Sequence, residues 1–522
     1  MFNRVSRPLA VLSILALAAC GGGSGSSGSG VTPPQSGNAA LATIVGVGDS
    51  LTAGFQSGGF LGVSTTSPLS GFPGGLVPAT QPNGWWALFY EQAKGVSASS
   101  MASVQTSVLP LINAPGLGSQ IVPSSPVPFA STHSGCDTFN QADYQVSTAL
   151  SVVRANPSAT IYDVAVPGQT AHEALYQIAP LTAPASNPPA CTYALNPNDP
   201  TAGPLQSLVN SESDPFYAVL GGFAGKIPNL DQVDAAASLH PTLATVWLGA
   251  NDLLKFAFSG GNGAASDTPA QMQSDIALAV ARLQKVGAKV IVANLPDVLS
   301  TGQFFRGGTP AAPQLCQLQS YVYCITQQQV AAAAAAKGLP AAAAQAFGGQ
   351  VAAQVVTDVA AYGVSSNGYL TETGVFAALQ QVAAQIAQGA APSQIQVQLD
   401  PNGKGSGLGG AYISDTLAAQ VQGLNDQYNA AIAAAAAATG SPLADIHAAD
   451  AQIHTQGAPL SAKCCSLAFG GGLLSFDGLH PSNTGYALIA NVFIGVADSA
   501  FGLTIAPVNP STIYATDLYA PH

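Results

Sequence analysis

Leu41-Ala42-Thr43-Ile44-Val45-Gly46-Val47-Gly48-Asp49-Ser50-Leu51 is the stretch whose reading decides the fold. Leu41 to Val47 is a short apolar run closed by glycine, the pattern of a strand buried on both faces of a parallel sheet. Ser50 falls just past it, where a helix is expected to begin. A serine there exposes its hydroxyl, and its backbone N–H belongs to a first turn whose donors lack intrahelical partners and can face an anion. Two other readings of the stretch fail on the residues themselves. Gly46-Val47-Gly48 opens like a dinucleotide G-x-G-x-x-G, but Leu51 stands where the third small residue is needed. The G-x-S-x-G nucleophile elbow fails because Thr52 occupies its last glycine.

Outward from this strand, further units of the same kind follow. Thr245 to Leu248 is a second apolar run, with a turn at Gly249. Thr268-Pro269 predicts a helix start, a capping side chain followed by proline at the first helical position. Met272, Ile276, Val280, Leu283 and Val286 then recur at helical spacing until Gly287, and Val290 to Ala293 returns as a strand. Leu417, Val421, Leu424, Tyr428 and Ile432 predict another helix, leading to a short strand at Leu443 to Ile446. Strands alternating with helices imply a parallel sheet covered on both faces, with functional groups at the carboxyl ends of its strands. Residues 56–155, rich in Gly, Pro and Ser around Trp85-Trp86, and residues 300–410, with alanine runs at 331–336 and 341–344, read as large insertions. They are expected either to pad the scaffold or to build the rim of a substrate pocket. From about Pro507 the chain reads as an irregular tail.

The second motif is Asp477-Gly478-Leu479-His480-Pro481, ahead of a helix predicted from Thr484 to about Val496. An Asp three residues before a His can reach the far imidazole nitrogen, fix the tautomer and stabilise the imidazolium. Gly48-Asp49-Ser50-Leu51, Gly168 within Val164–Thr170, Gly249-Ala250-Asn251-Asp252 and Asp477…His480 occur in the order of the four blocks of the GDSL (SGNH) hydrolases, which this chain resembles. Asn294-Leu295-Pro296-Asp297 also resembles that family's segment between the third and last blocks. The resemblance implies a flavodoxin-like three-layer α/β/α sandwich. It implies Ser50 as nucleophile, His480 as base and Asp477 as its orienting partner. It further implies an oxyanion hole from the backbone N–H groups of Ser50 and Gly168 and the side-chain amide of Asn251. A glycine at 168 also has a reason of its own, since a residue without Cβ lets the backbone approach a substrate closely.

The N-terminus bears on compartment. Arg4 and Arg7 precede an apolar segment, Leu9 to Ala19, that is too short to span a bilayer. Leu17-Ala18-Ala19-Cys20 resembles a bacterial lipobox, in which Cys20 would be lipidated, and the Gly/Ser-rich run after it reads as a flexible tether. The expected organisation is a signal peptide at 1–19, a tether at 20–40, a hydrolase domain at 41–505 and a tail at 506–522. A lipid-anchored envelope protein, most simply at the outer membrane, follows from this reading. Without Arg4 and Arg7 the chain carries 11 basic against 25 acidic residues, a formal −14, which argues against nucleic acid as a partner. Six cysteines remain after Cys20, and nearest-neighbour pairing gives Cys136–Cys191, Cys316–Cys324 and a vicinal Cys464–Cys465. The last is awkward, because adjacent Cα atoms lie closer than disulfides prefer. No metal is expected: CxxC and paired-histidine spacings are missing, and Asp400-Pro401-Asn402-Gly403-Lys404 departs from a calcium loop at Lys404 and Ala411. Gly225-Lys226 lacks the remainder of a phosphate loop, and no cofactor is expected.

Hydrolysis of acyl esters through an acyl-enzyme is thus the expected activity. Two substrate classes compete: lipid or long-chain acyl esters suit Ala-rich insertions lining a groove, and acetylated polysaccharide suits exposed Trp/Tyr/Asn-rich loops; a general or lipolytic esterase is the first expectation. A non-catalytic surface lipoprotein on the same fold is the reading from another class, and the presence together of Ser50, Asn251, Asp477 and His480 weighs against it. Oligomeric state is not legible.

Overall fold

The computed structural model describes residues 38–520, apart from 57–58, 67–75, 97–106, 114–153, 178–212, 224–226, 228–229, 264–265, 303, 307–330, 332–333, 337, 359–366, 372–383, 386–387, 391–411, 459, 461–464, 468–470 and 476. The first strand, β1 (Ile44–Gly48), is buried at every position. It starts three residues later than the apolar run suggests, because Asn38 caps a short 3₁₀ turn at Ala39–Leu41 through the N–H of Ala40. Beside β1 lie β2 (Leu243–Trp247), β3 (Lys289–Ala293) and β4 (Leu443–Ala444), all parallel, in the order β1-β2-β3-β4.

On the free edge of β1 the chain at 162–166 runs parallel and is bonded strand-fashion. Gly46 N donates to Tyr162 O (2.9 Å), Val164 N to Gly46 O (3.0 Å) and Val166 N to Gly48 O (3.1 Å). Counted in chain order, the sheet therefore reads 2-1-3-4-5, the flavodoxin-like arrangement, with its switch point beside β1. Crossovers on both sides of that point place helices on both faces. Of the helices α1 (Ser50–Ala53), α2 (Trp85–Lys94), α3 (Gln232–Ser238), α4 (Ala250–Phe258), α5 (Pro269–Lys285), α6 (Asp415–Thr439) and α7 (Asn483–Phe501), α5 packs on α3 and α6, and α2 packs on α7.

The helix limits follow from local chemistry. Thr268 caps α5 with Pro269 in the first turn, as the sequence suggests, and Gln271 completes a reciprocal capping box. Ser414 caps α6 and Gly440 ends it in the left-handed conformation. Helix α7 is long and apolar enough to cross a bilayer. It is nevertheless a core helix, because Tyr486, Ala487, Ala490, Phe493, Ile494 and Ala497 are buried along one stripe.

Trp85 and Trp86 correct the expectation of exposed aromatic loops: both are fully buried. Trp85 stacks on Phe493 of α7 at 3.8 Å, and Trp247 of β2 meets it edge-on at 5.8 Å. Trp86 packs where β1 has no side chain, since a Cβ on Gly46 would lie 2.6 Å from its Nε1. The glycines of Gly46-Val47-Gly48 thus serve packing. A Cβ on Gly48 would collide with Thr52 and meet Trp247 O at 3.0 Å. In and just past the 300–410 region, strands 304–306, 369–371 and 412–413 form a separate antiparallel sheet, tied to α4 by Phe304 against Phe258. The expected irregular tail carries a short helix, α8 (Pro510–Tyr514), packed on α7. Its end is pinned by buried Asp517, which accepts Thr484 N (2.7 Å) and Thr484 Oγ1 (2.6 Å). Cys465 is disulfide-bonded. The expected pairs Cys136–Cys191 and Cys316–Cys324, and the Cys464 half of the third, fall outside the described residues, as do Cys20 and Asp400–Lys404.

Candidate active site

Three sheet ends and one loop converge. At the carboxyl end of β1, Asp49 caps α1 by accepting Leu51 N (3.0 Å), which puts Ser50 at the first helical position. Gly54 then closes the helix in the left-handed conformation. The opposing loop is an Asx turn. Asp477 Oδ1 accepts Leu479 N (2.9 Å), His480 N (2.8 Å) and Ser475 Oγ (3.1 Å), and this holds Oδ2 2.8 Å from His480 Nδ1. The other imidazole nitrogen, Nε2, lies 2.9 Å from Ser50 Oγ. Ser50, His480 and Asp477 therefore form one hydrogen-bonded line across 430 residues of chain.

The two loops are fastened to each other. Gln56 Nε2 donates to Pro481 O (3.2 Å) and Asn483 Oδ1 (2.9 Å), and Tyr486 Oη donates to Phe55 O (2.7 Å). The Phe55 ring sits 4.7 Å from the imidazole, centroid to centroid, and places apolar surface beside it. Buried Gln232 of α3 donates to Gly48 O (2.7 Å) and Val164 O (2.9 Å), clamping the ends of the two strands that lead to Ser50 and Gly168. Gln56, Phe55, Ser475 and Gln232 escape a sequence reading, because each acts on a partner that only folding brings near.

Gly168 lies two residues past the last bond to β1 and has φ +86°, a left-handed backbone that L side chains seldom adopt. Asn251 is the second residue of α4, after Gly249 at φ +113°. Its Nδ2 donates to Gln169 O at 3.0 Å, which leaves the second amide hydrogen for another acceptor. The same two loops meet again through Asp252, which accepts Ala171 N (3.0 Å). Gly168 and Asn251 are thus held together at the ends of the two strands that flank β1.

The electrostatics are those of buried carboxylates. Burial raises the Asp477 carboxyl, but the His480 charge and the hydrogen bonds from His480 and Leu479 outweigh it, so its pKa is lowered. Asp49, with fewer compensations, is pushed up by burial to about 7 against the Leu51 hydrogen bond and the His480 charge. Burial likewise takes Asp252 to about 6 against the Ala171 hydrogen bond and Lys255. A carboxylate kept ionised behind an imidazole, and an imidazole against a serine hydroxyl, can together draw the hydroxyl proton as the oxygen attacks.

The profile of the GDSL-like Lipase/Acylhydrolase family matches residues 44–493, a span from β1 to the middle of α7 that contains Ser50, Gly168, Asn251, Asp477 and His480. No curated protein and no solved structure matches the chain.

Proposed function

The chain belongs to the GDSL-like lipase/acylhydrolase family and is a serine hydrolase acting on esters, and from that premise we propose how this site cleaves them. Ser50 Oγ attacks the ester carbonyl while His480 Nε2 takes its proton and Asp477 stabilises the imidazolium. The tetrahedral oxyanion is met by the N–H groups of Ser50 and Gly168 and by the Asn251 amide. Collapse expels the alcohol, which receives the proton from His480, and water then releases the acid from Ser50 by the same path reversed. The observation that carries this reading is the unbroken line Ser50 Oγ–His480 Nε2 (2.9 Å) and His480 Nδ1–Asp477 Oδ2 (2.8 Å).

Among substrates, an acyl chain of some length fits better than a sugar-borne acetyl group. Phe55 supplies apolar surface beside the imidazole, whereas the tryptophans that could stack on a sugar are in the core. The deciding assay sets the purified full chain against p-nitrophenyl esters from acetate upward, with Ser50→Ala alongside. The expected result is a preference for chains longer than acetate and loss of turnover in Ser50→Ala. Folded wild-type protein inert on every ester would overturn the activity, and turnover persisting in Ser50→Ala would overturn the mechanism. For location, the lipobox-like residues ending in Cys20 support a lipid anchor at the outer membrane. Cys20→Ser should then move the protein from the membrane to the soluble fraction, and unchanged membrane association would sink that assignment.

A further inference from the structure

Behind the loop that carries Gly168, three buried side chains, one imidazole and two carboxyls, face one another. His172 follows that loop directly, Asp267 precedes the cap of α5, and Asp275 lies in its second turn. Their exposures are 7%, 6% and 7%, and one ligand atom from each lies within 4.8 Å of the other two. His172 Nδ1 is 2.9 Å from Asp275 Oδ2. Asp267 Oδ2, fully shielded from solvent, has no hydrogen-bond partner. The charges acting on Asp267 are Asp252, Asp275 and Glu173, all negative, with His172 in opposition. Lys255 engages Glu173 at 3.0 Å and 3.1 Å. A buried carboxylate oxygen with no partner is unfavourable unless a proton or a cation meets it.

We propose that His172, Asp267 and Asp275 bind a divalent first-row transition-metal cation that ties the loop behind Gly168 to the start of α5. One imidazole and two carboxylates are a donor set suited to Zn²⁺ or Mn²⁺. Two adjacent ligands about 2.1 Å from one metal stand about 3 Å apart, the spacing that His172 Nδ1 and Asp275 Oδ2 already have. The three ligands are fixed independently. Asp267 N donates to Asp252 Oδ1 and its carbonyl accepts Tyr428 Oη, Asp275 sits within a capped helix, and the His172 ring packs on Tyr176. A cavity of about 310 Å³ opens onto two of the three, His172 and Asp275, beside Tyr176, Gln271 and Ser274, and gives an entry path from that side. Sequence spacing conceals the site, because its ligands are 95 and 8 residues apart and match no metal motif.

The test uses the full chain without a histidine tag, stripped with EDTA and re-equilibrated with Zn²⁺ or Mn²⁺ alone, and reads metal content and melting temperature rather than ester turnover. It therefore stands or falls separately from the ester-cleaving assignment. The expected result is about one bound cation per chain. At a cation concentration well above Kd, Tm should rise by about 3 °C or more. Asp267→Asn and Asp275→Asn, close to isosteric, should keep the circular-dichroism spectrum of the wild type and lose both signals. Wild-type protein that retains neither cation would overturn the proposal, as would retention undiminished in both variants.

Discussion

Asp477→Asn replaces one carboxylate oxygen by an amide nitrogen without changing the size of the side chain. Asp477 Oδ1 accepts from Leu479 N, His480 N and Ser475 Oγ, while Oδ2 faces His480 Nδ1. The asparagine must keep its oxygen toward the three donors, because the reverse orientation would face two backbone N–H groups with an NH₂, at about 1–3 kcal/mol for each orphaned donor. Its nitrogen then points at His480 Nδ1 as a donor. The imidazole is forced into the tautomer with its proton on Nε2, so Nε2 can no longer accept from Ser50. A wrong tautomer of this kind costs about 10⁴ in kcat, or about 5 kcal/mol of barrier. Stability should change little, since the three Oδ1 bonds survive. The assay is kcat on the best p-nitrophenyl ester together with a melting curve of the same preparation. A variant within tenfold of wild type, folded normally, would refute the assignment of Asp477 as the group that sets the tautomer.

Asn251→Ala should lower kcat by about 10²–10³ with KM little changed, as expected of a donor that acts on the transition state; unaltered kcat would remove Asn251 from the oxyanion hole. Gly46→Ala drives a methyl into Trp86 Nε1 at 2.6 Å and should destabilise the fold by about 1–3 kcal/mol, measured by denaturant unfolding. A neutral result would show that Trp86 can shift. The pH dependence has a definite sign. Asp49 and Asp231 have folded pKa values raised by burial from 3.8 to about 7, so the folded state holds protons that the unfolded chain releases. The stability from these two groups is complete below about pH 4 and is lost as pH rises through 7. Asp477, lowered, acts in the opposite sense, and its contribution is lost only in acid. Tm in EDTA should therefore be higher at pH 5 than at pH 8, and Asp49→Asn should flatten that slope; a wild-type Tm that rises across the interval would contradict it.

Much of this protein is local information. The β1 run, the capping box at Thr268 and Gln271, the stop at Gly440 and the Asp477-Gly478-Leu479-His480 turn depend on residues within a few positions of one another, and propensity and hydrogen-bond chemistry act at that range. Hence the alternation of strands and helices, Ser50 at a strand end and the Asp477–His480 pair were legible without coordinates. What required the tertiary structure is whatever depends on distant segments meeting. The sequence does not reveal that 162–166 runs along the free edge of β1, that Trp85 and Trp86 are core, or that Gln232 clamps two strand ends. Nor does it reveal that His172, Asp267 and Asp275 are buried within 4.8 Å of one another. Residues 95 positions apart carry no local signal of each other; packing and the exclusion of water decide that they touch, and so decide which buried charge is left to be balanced.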